Sequence, residues 1–257
     1  MNPAPSPRTD AASRFSPEEW ALRQDLAACY RIVDHLGWSE IVVNHITVRL
    51  PGPEHHFLIN PYGLTYDEVT ASNLVKIDLN GNPVGEATHP VNPAGFVIHS
   101  AIHAAREDAI CVLHTHTTEG QAVAIKKGGL NFNSFYAAQL YGRVGYHDFE
   151  GLSLYEDEKP RLLASLGRNT ALILRNHGLL TTGRSIAEAF FNMWRLQRAC
   201  EVQVVLDSMR GEDNPIPAEI AEKCARDADS FGPGSVSEQF FRAMVRKVER
   251  IDRSFRS

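Results

Sequence analysis

Apolar residues recur along this chain with two periods. Behind Ser16-Pro17-Glu18-Glu19 they return every third or fourth position as far as Leu36, and Gly37 stops them. A capping serine, a proline at the first helical position and acids in the first turn predict a helix there. Residues 41–50 are β-branched and roughly alternating, Pro51-Gly52-Pro53 turns the chain, and residues 56–60 form the returning strand of a hairpin. A short helical turn at 71–75 and a strand at 76–79 follow, and Asn80-Gly81-Asn82 turns the chain again. Helical spacing covers 94–105, an apolar strand 109–114, and a second helix 117–126 that Gly128-Gly129 ends. Residues 130–151 are aromatic and show neither period. A helix at 156–166, strands at 171–175 and 178–182, and a long helix at 185–209 come next. Ser185 and Glu188 open the long helix as a capping box. Beyond the linker Asn214-Pro215-Ile216-Pro217, two helical patterns at 218–229 and 236–253 complete the chain.

This order of elements predicts an α/β fold in which helices cover both sides of a central sheet, and the hairpins require some antiparallel pairing. With 257 residues and 43% hydrophobic content, one large domain is expected over 17–210. Residues 1–16 carry prolines and no apolar core, so they are expected to be a disordered leader rather than a secretory signal. Residues 211–257 are expected to form a helical extension that packs on the domain or on a neighbouring subunit. The net charge of −5 and pI near 6.1 offer no basic field for nucleic acid. No apolar run approaches the roughly 20 residues of a membrane span. Cys29, Cys111, Cys200 and Cys224 are scattered without a CxxC pair, which suits free thiols in the cytoplasm.

The chemistry concentrates in Val112-Leu113-His114-Thr115-His116-Thr117. Residues two apart in a strand share a face, so both imidazoles can converge on one point. Such a pair alone also occurs on ordinary surface strands, and two histidines cannot complete a metal site. A third histidine ends a second strand-like run, Leu172-Ile173-Leu174-Arg175-Asn176-His177-Gly178. Three imidazoles at strand ends suit a divalent metal and leave one coordination position open.

Beyond single motifs, the chain resembles the class II aldolase/adducin family, and most of all the adducin head domain and bacterial adducin-like proteins. The resemblance rests on Gly37-Trp38-Ser39-Glu40 through Asn44-His45-Ile46-Thr47-Val48-Arg49, and on His56-Phe57-Leu58-Ile59-Asn60-Pro61-Tyr62-Gly63-Leu64. It continues through Glu68 to Ile77, Asn92-Pro93-Ala94-Gly95-Phe96 through His103, Val112 to Thr117 and Ile173 to Leu180. The family implies a three-layer αβα sandwich with a mainly antiparallel central sheet, and a homotetramer with sites near subunit interfaces. It also implies a zinc ion on three histidines, which map onto His114, His116 and His177.

Departures from the family are equally specific. Its sugar-phosphate aldolases carry two serines and a catalytic glutamate ahead of the helix that bears His99, where this chain has Pro93, Ala94 and Gly95. The glycine-asparagine pair of their phosphate loop reads Asn44-His45 here. A phosphate would therefore lack its cradle of backbone amides and hydroxyls. His45, Glu119 and Tyr146 are the candidates for the missing proton transfer, with Tyr62 as a further donor and His99 as a group that orients a ligand. For His45 the alternative is a histidine held to backbone. For Glu119 it is a helix N-terminal charge, and for Tyr146 an ordinary buried tyrosine. His35, His55, His56, His89, His103 and His147 are expected at the surface or in structural roles.

Together these residues suggest a metal-dependent carbon–carbon lyase, an aldolase or decarboxylase for a small non-phosphorylated carbonyl or hydroxy-acid substrate. Zinc is the first expectation for the metal, with iron, manganese or nickel open. The alternatives are a non-catalytic adducin-like interaction module and a non-haem iron oxygenase. The chain carries no long lysine-rich tail of the kind that adducin uses, which argues against direct actin binding.

Overall fold

The computed structural model describes residues 12–85, 89–152, 155–230 and 236–257. Most of the expected leader therefore lies outside the described residues. Seven strands form one sheet: β1 (His45–Arg49), β2 (Phe57–Ile59), β3 (Val75–Ile77), β4 (Cys111–Thr115), β5 (Val144–His147), β6 (Ala171–Leu174) and β7 (Gly178–Gly183). Their order is β3-β2-β1-β4-β7-β6-β5. Every neighbouring pair is antiparallel except β5–β6. The parallel pair follows from its connection, because a helix crosses over between its two strands. The other elements are α1 (Pro17–His35), α2 (Pro93–Ala105), α3 (Thr118–Ile125), α4 (Phe135–Ala138), α5 (Lys159–Leu166), α6 (Ile186–Ser208), α7 (Ala218–Ser230) and α8 (Val236–Ile251).

Strand alternation divides the core into two layers. Ile46, Val48, Cys111, Leu113, Ala171, Ile173 and Leu179 meet Leu26 and Tyr30 of α1, Phe190 and Met193 of α6, and Phe241 and Val245 of α8. The intervening residues Val112, Leu172, Leu174 and Leu180 meet Ile98 and Ile102 of α2 and Leu162 and Leu166 of α5. The fold is thus an αβα sandwich around a mostly antiparallel sheet. The C-terminal residues close the first of these layers: Phe241, Val245, Val248 and Phe255 are all buried in it. Arg242 of α8 forms a bidentate pair with Asp25 of α1, and Ala71 N–H donates to the carbonyl of Phe255.

Several boundaries differ from expectation for local reasons. The strand expected at 41–50 starts only at His45, because Ile41 (φ 49°) and Asn44 (φ 71°) adopt the left-handed region and turn the chain ahead of it. The first helical turn after β2 is Tyr66–Glu68, where Glu68 accepts from Thr65 N–H, and residues 71–73 make a hydrogen-bonded turn rather than a helix. The aromatic stretch without a period contains α4 and β5. Its packing against α6 and β6 supplies what its own pattern lacks. Both sequence-read caps are present: Ser16 accepts from Glu19 N–H, and Ser185 from Glu188 N–H.

Two buried polar groups hold the β1 end of the sheet. The Tyr30 hydroxyl accepts from Ile46 N–H and Asn60 N–H and donates to the Ile46 carbonyl, which locks the first residues of β1 to the end of β2. Arg23 is 2% exposed. Its guanidinium pairs with Glu19 and donates to the carbonyls of Ala71 and Leu74, joining α1 to the turn before β3. Removing one partner of a buried charged network strands the other. Arg23→Ala is expected to destabilise the fold by about 3 kcal/mol, read as a lower midpoint in urea unfolding. A change under ~0.5 kcal/mol would mean that water replaces the guanidinium at no cost.

Candidate metal centre

His114, the fourth residue of β4, stands between His45 on β1 and Leu180 on β7 in the cross-strand register. It points to the α2 side of the sheet, as Val112 does, while Leu113 and Thr115 face α6. His116 follows on the same side, just past the strand end. Thr117 then caps α3, accepting from Gly120 N–H, and the Gln121 amide donates to the His116 carbonyl. His177 lies in the three-residue turn between β6 and β7, where Asn176 takes φ 58°, a left-handed conformation that asparagine tolerates better than most residues.

These three histidines meet. One ligand nitrogen from each lies within 4.8 Å of the other two, and their ring centroids are 4.6–4.9 Å apart. His114 is buried, and His116 and His177 are half-buried. His114 Nδ1–H donates to the Leu179 carbonyl at 2.8 Å, which leaves its Nε2 bare and aimed at His116 Nε2, also 2.8 Å away. A backbone carbonyl that fixes the tautomer of a ligand histidine is a recurring feature of metal sites. Burial holds His114 well below the ordinary imidazole pKa, with the neighbouring imidazoles adding to the effect. Burial also lowers His116 and brings His177 down to about 4, against an opposing pull from Glu158. All three are therefore neutral near pH 7, the state in which imidazole binds metal. The donor set, its convergence and its protonation fit a divalent ion.

Gly178 makes this approach possible. A Cβ there would lie 2.3 Å from the carbonyl oxygen of Thr115 and 3.0 Å from the His116 ring. Any side chain would push β7 away from β4 at the level of the three imidazoles.

Of the three groups named for proton transfer, only His45 stands beside the cluster among the described contacts. It is 4% exposed, and its ring lies 6.0 Å from His114 and 4.0 Å from His99. Glu119 is in the first turn of α3, where its carboxylate accepts from Gln197 of α6. Tyr146 accepts from Leu130 N–H and packs under the Arg175 guanidinium. Its hydroxyl also fills the space a Cβ on Gly129 would need, 2.7 Å away. Tyr62 is 39% exposed on the surface. His103 and His147 are buried and held by hydrogen bonds.

Two features lay beyond the linear reading. The buried Glu158 carboxylate accepts from His147 Nε2–H at 3.2 Å, and both act electrostatically on His177. Secondly, β1 presents polar residues to α2 at alternate positions. Thr47 Oγ1 touches His99 Nδ1 at 2.8 Å and His103 Nε2 at 2.7 Å, and Arg49 donates to the His103 carbonyl. The matching periods, i and i+2 on the strand against i and i+4 on the helix, are visible in the sequence. What they lack there is any sign that the two elements face each other.

A sheet sandwiched between helices, with three histidines gathered at one end of its central strands, defines an α/β protein with a candidate metal centre. More particularly, the chain belongs to the family described as the class II aldolase and adducin N-terminal domain, whose model matches residues 24–204. An aldolase II superfamily protein from Pseudomonas syringae is 43% identical, with a TM-score of 0.90 over 95% of this chain and 98% of its own. An L-fuculose 1-phosphate aldolase from Glaciozyma antarctica is 30% identical, with a TM-score of 0.83 over 95% of this chain and 96% of its own. Alpha-adducin of Rattus norvegicus is 44% identical over 91% of this chain, a match that spans 34% of adducin's length. No described helix is long and apolar enough to cross a membrane.

Gly178→Ala is expected to cost about 1–3 kcal/mol through overpacking and to weaken metal binding, checked by thermal unfolding and by metal titration of the same sample. Unchanged affinity would show that the strands can part without disturbing the ligands. His103, pushed down to about 3 mainly by burial, gives a second test. The unfolded chain binds a proton at this histidine near pH 6.5, and the folded chain only near 3. Stability is therefore retained above pH 6.5 and lost as pH falls from 6.5 towards 3. Urea midpoints measured across that range should fall, and His103→Asn should flatten part of the slope. An equal slope in the variant would contradict the assignment.

Proposed function

We propose that the protein is a metal-dependent carbon–carbon lyase, of the aldolase or decarboxylase type, for a small carbonyl or hydroxy-acid substrate without a phosphate. The observation that carries this reading is the convergence of three neutral imidazoles, with His45 one strand away. Held by His114, His116 and His177, a divalent ion (zinc first by its donor preference, with iron, manganese or nickel as alternatives) supplies an electrophile that polarises a carbonyl or carboxylate oxygen. Retro-aldol cleavage and decarboxylation both leave an electron pair on carbon beside a carbonyl, so the same site serves either.

Proton movement is the work of side chains. We assign it to His45, because imidazole gives and takes protons readily near neutral pH and this ring is buried beside the cluster. Glu119 and Tyr146 rank behind it, since each is engaged elsewhere. Decarboxylation needs no base to begin, and this suits a chain with Gly95 where the aldolases carry their glutamate. The absence of the two serines, replaced by Pro93 and Ala94, supports a substrate without phosphate. A homotetramer and a cytoplasmic location go with this reading. Exposed Phe149 beside His177 supports a subunit neighbour at the site, and the free thiols support a reducing compartment.

A second reading is favoured by the adducin match, which extends over 91% of this chain. In it the domain is a non-catalytic interaction module.

Elemental analysis of the purified protein, paired with a screen of carbonyl and hydroxy-acid substrates with and without phosphate, separates the two. About one divalent ion per chain is expected, lost in His177→Ala together with turnover while the fold survives. His45→Gln should keep the ion and lower kcat by roughly 10²-fold or more. Full turnover in a metal-free variant would overturn the lyase reading, and no metal after reconstitution would favour the interaction module. Turnover only with phosphorylated substrates would overturn the substrate class.

A further inference from the structure

Behind His45, on the side away from the three ligand histidines, a run of buried polar atoms has a fixed direction. It starts at the Ala109 carbonyl, which can only accept, so the His103 nitrogen 2.8 Å away, Nδ1, carries a proton. His103 is neutral, held so by burial, and its Nε2 is therefore bare. The Thr47 hydroxyl, 2.7 Å from that Nε2, must donate to it. Thr47 has one proton to give. The oxygen is left as an acceptor, and the His99 nitrogen 2.8 Å from it, Nδ1, must carry a proton. His99 is also wholly buried and neutral, so its Nε2 is a bare acceptor. Among the described residues that atom has no hydrogen-bond partner, and its ring packs against the ring of His45, with centroids 4.0 Å apart and planes at 51°. A buried acceptor left without a donor costs about 1–3 kcal/mol, which functional sites tolerate more often than cores do.

We propose that Thr47 and His103 are positioning residues for the reaction. They fix His99 in the Nδ1–H tautomer, so that its bare Nε2 is the acceptor that a His45 N–H would meet on a turn of the adjacent ring, leaving the other His45 nitrogen bare for the reactants. No proton is transferred along the run. Its function is to decide which nitrogen of His45 holds the proton. The direction originates at one backbone carbonyl in the loop before β4, remote from the metal ligands. This inference rests on His45 as the proton carrier, yet the tautomer of His99 can be read without any substrate.

The test uses protein labelled with ¹⁵N-histidine, in which protonated and bare ring nitrogens differ in chemical shift. His99→Asn identifies the His99 signals by difference. Wild-type protein is expected to show His99 protonated on Nδ1 and bare on Nε2. Thr47→Val keeps the shape and removes the hydroxyl. It should move His99 towards the Nε2–H form and lower kcat about tenfold or more, with KM and metal content unchanged. Thr47→Ser should restore both readouts. Should Thr47→Val fail to fold, His103→Asn serves instead: it keeps a donor for Ala109 and frees the Thr47 proton to turn towards His99, with the same expected tautomer change. A wild-type His99 protonated on Nε2, or a tautomer indifferent to Thr47 and His103, would overturn the proposal. So would a shifted tautomer with kcat unchanged. If the tautomers behave as expected while His45→Gln has full activity, the choice of His45 as proton carrier fails, and the directed run of hydrogen bonds stands.

Discussion

The close approach of β4 and β7 at Gly178 is the constraint on which the site depends. Thr115 and His116 on one side and His177 on the other belong to segments far apart in sequence, and they meet because no Cβ separates the two strands at that level. Antiparallel register then does two things at once. It sets the Leu179 carbonyl against His114 Nδ1, which fixes the tautomer of a candidate ligand, and it sets His45 beside His114 from the opposite neighbour strand. A one-residue slip in either pairing would turn His114 or His45 to the other face of the sheet.

Burial supplies the electrostatics. His99, His114 and His177 are held neutral because a charged ring would lose its hydration, and clustering them raises that penalty further. Neutral rings are ready metal ligands and have definable tautomers, so hydrogen-bond direction becomes a structural variable. The two faces of β1 show the division of labour. Ile46 and Val48 pack into the apolar layer with α1 and α6, while His45 and Thr47 face α2 and form a polar seam. A packed apolar layer on one side keeps the strand rigid enough for the seam to hold defined hydrogen bonds.

The family joins chains whose names point to sugar-phosphate cleavage with chains named for adducin, so membership fixes the scaffold and leaves the chemistry to individual positions. In this chain three histidines that could hold a metal converge. The start of α2 has neither the serine hydroxyls nor the glutamate that the aldolases use there. Three converging histidines, without that glutamate at Gly95, are the combination from which the lyase reading is drawn.

Much of this was legible in the linear sequence. Periodicity located α1, α2, α6 and the central strands, because an amphipathic helix and a half-buried strand must repeat at 3.6 and 2 residues to bury one side. The HxH spacing and the histidine before Gly178 marked the three histidines that converge, since strand geometry alone puts 114 and 116 on one face. The sequence could not show that β5 pairs parallel to β6, that Ile41 and Asn44 bend the chain and delay β1, or that α4 lies within the aromatic stretch. Those depend on packing against distant elements, which overrides weak local preference. Nor could it show that Thr47 lies between His99 and His103, or that Glu158 acts on His177 through space. Residue types and local periods are properties of neighbours in the chain. Which nitrogen faces which oxygen is settled by contacts across the fold, and in this protein those contacts decide the tautomers of His99, His103 and His114.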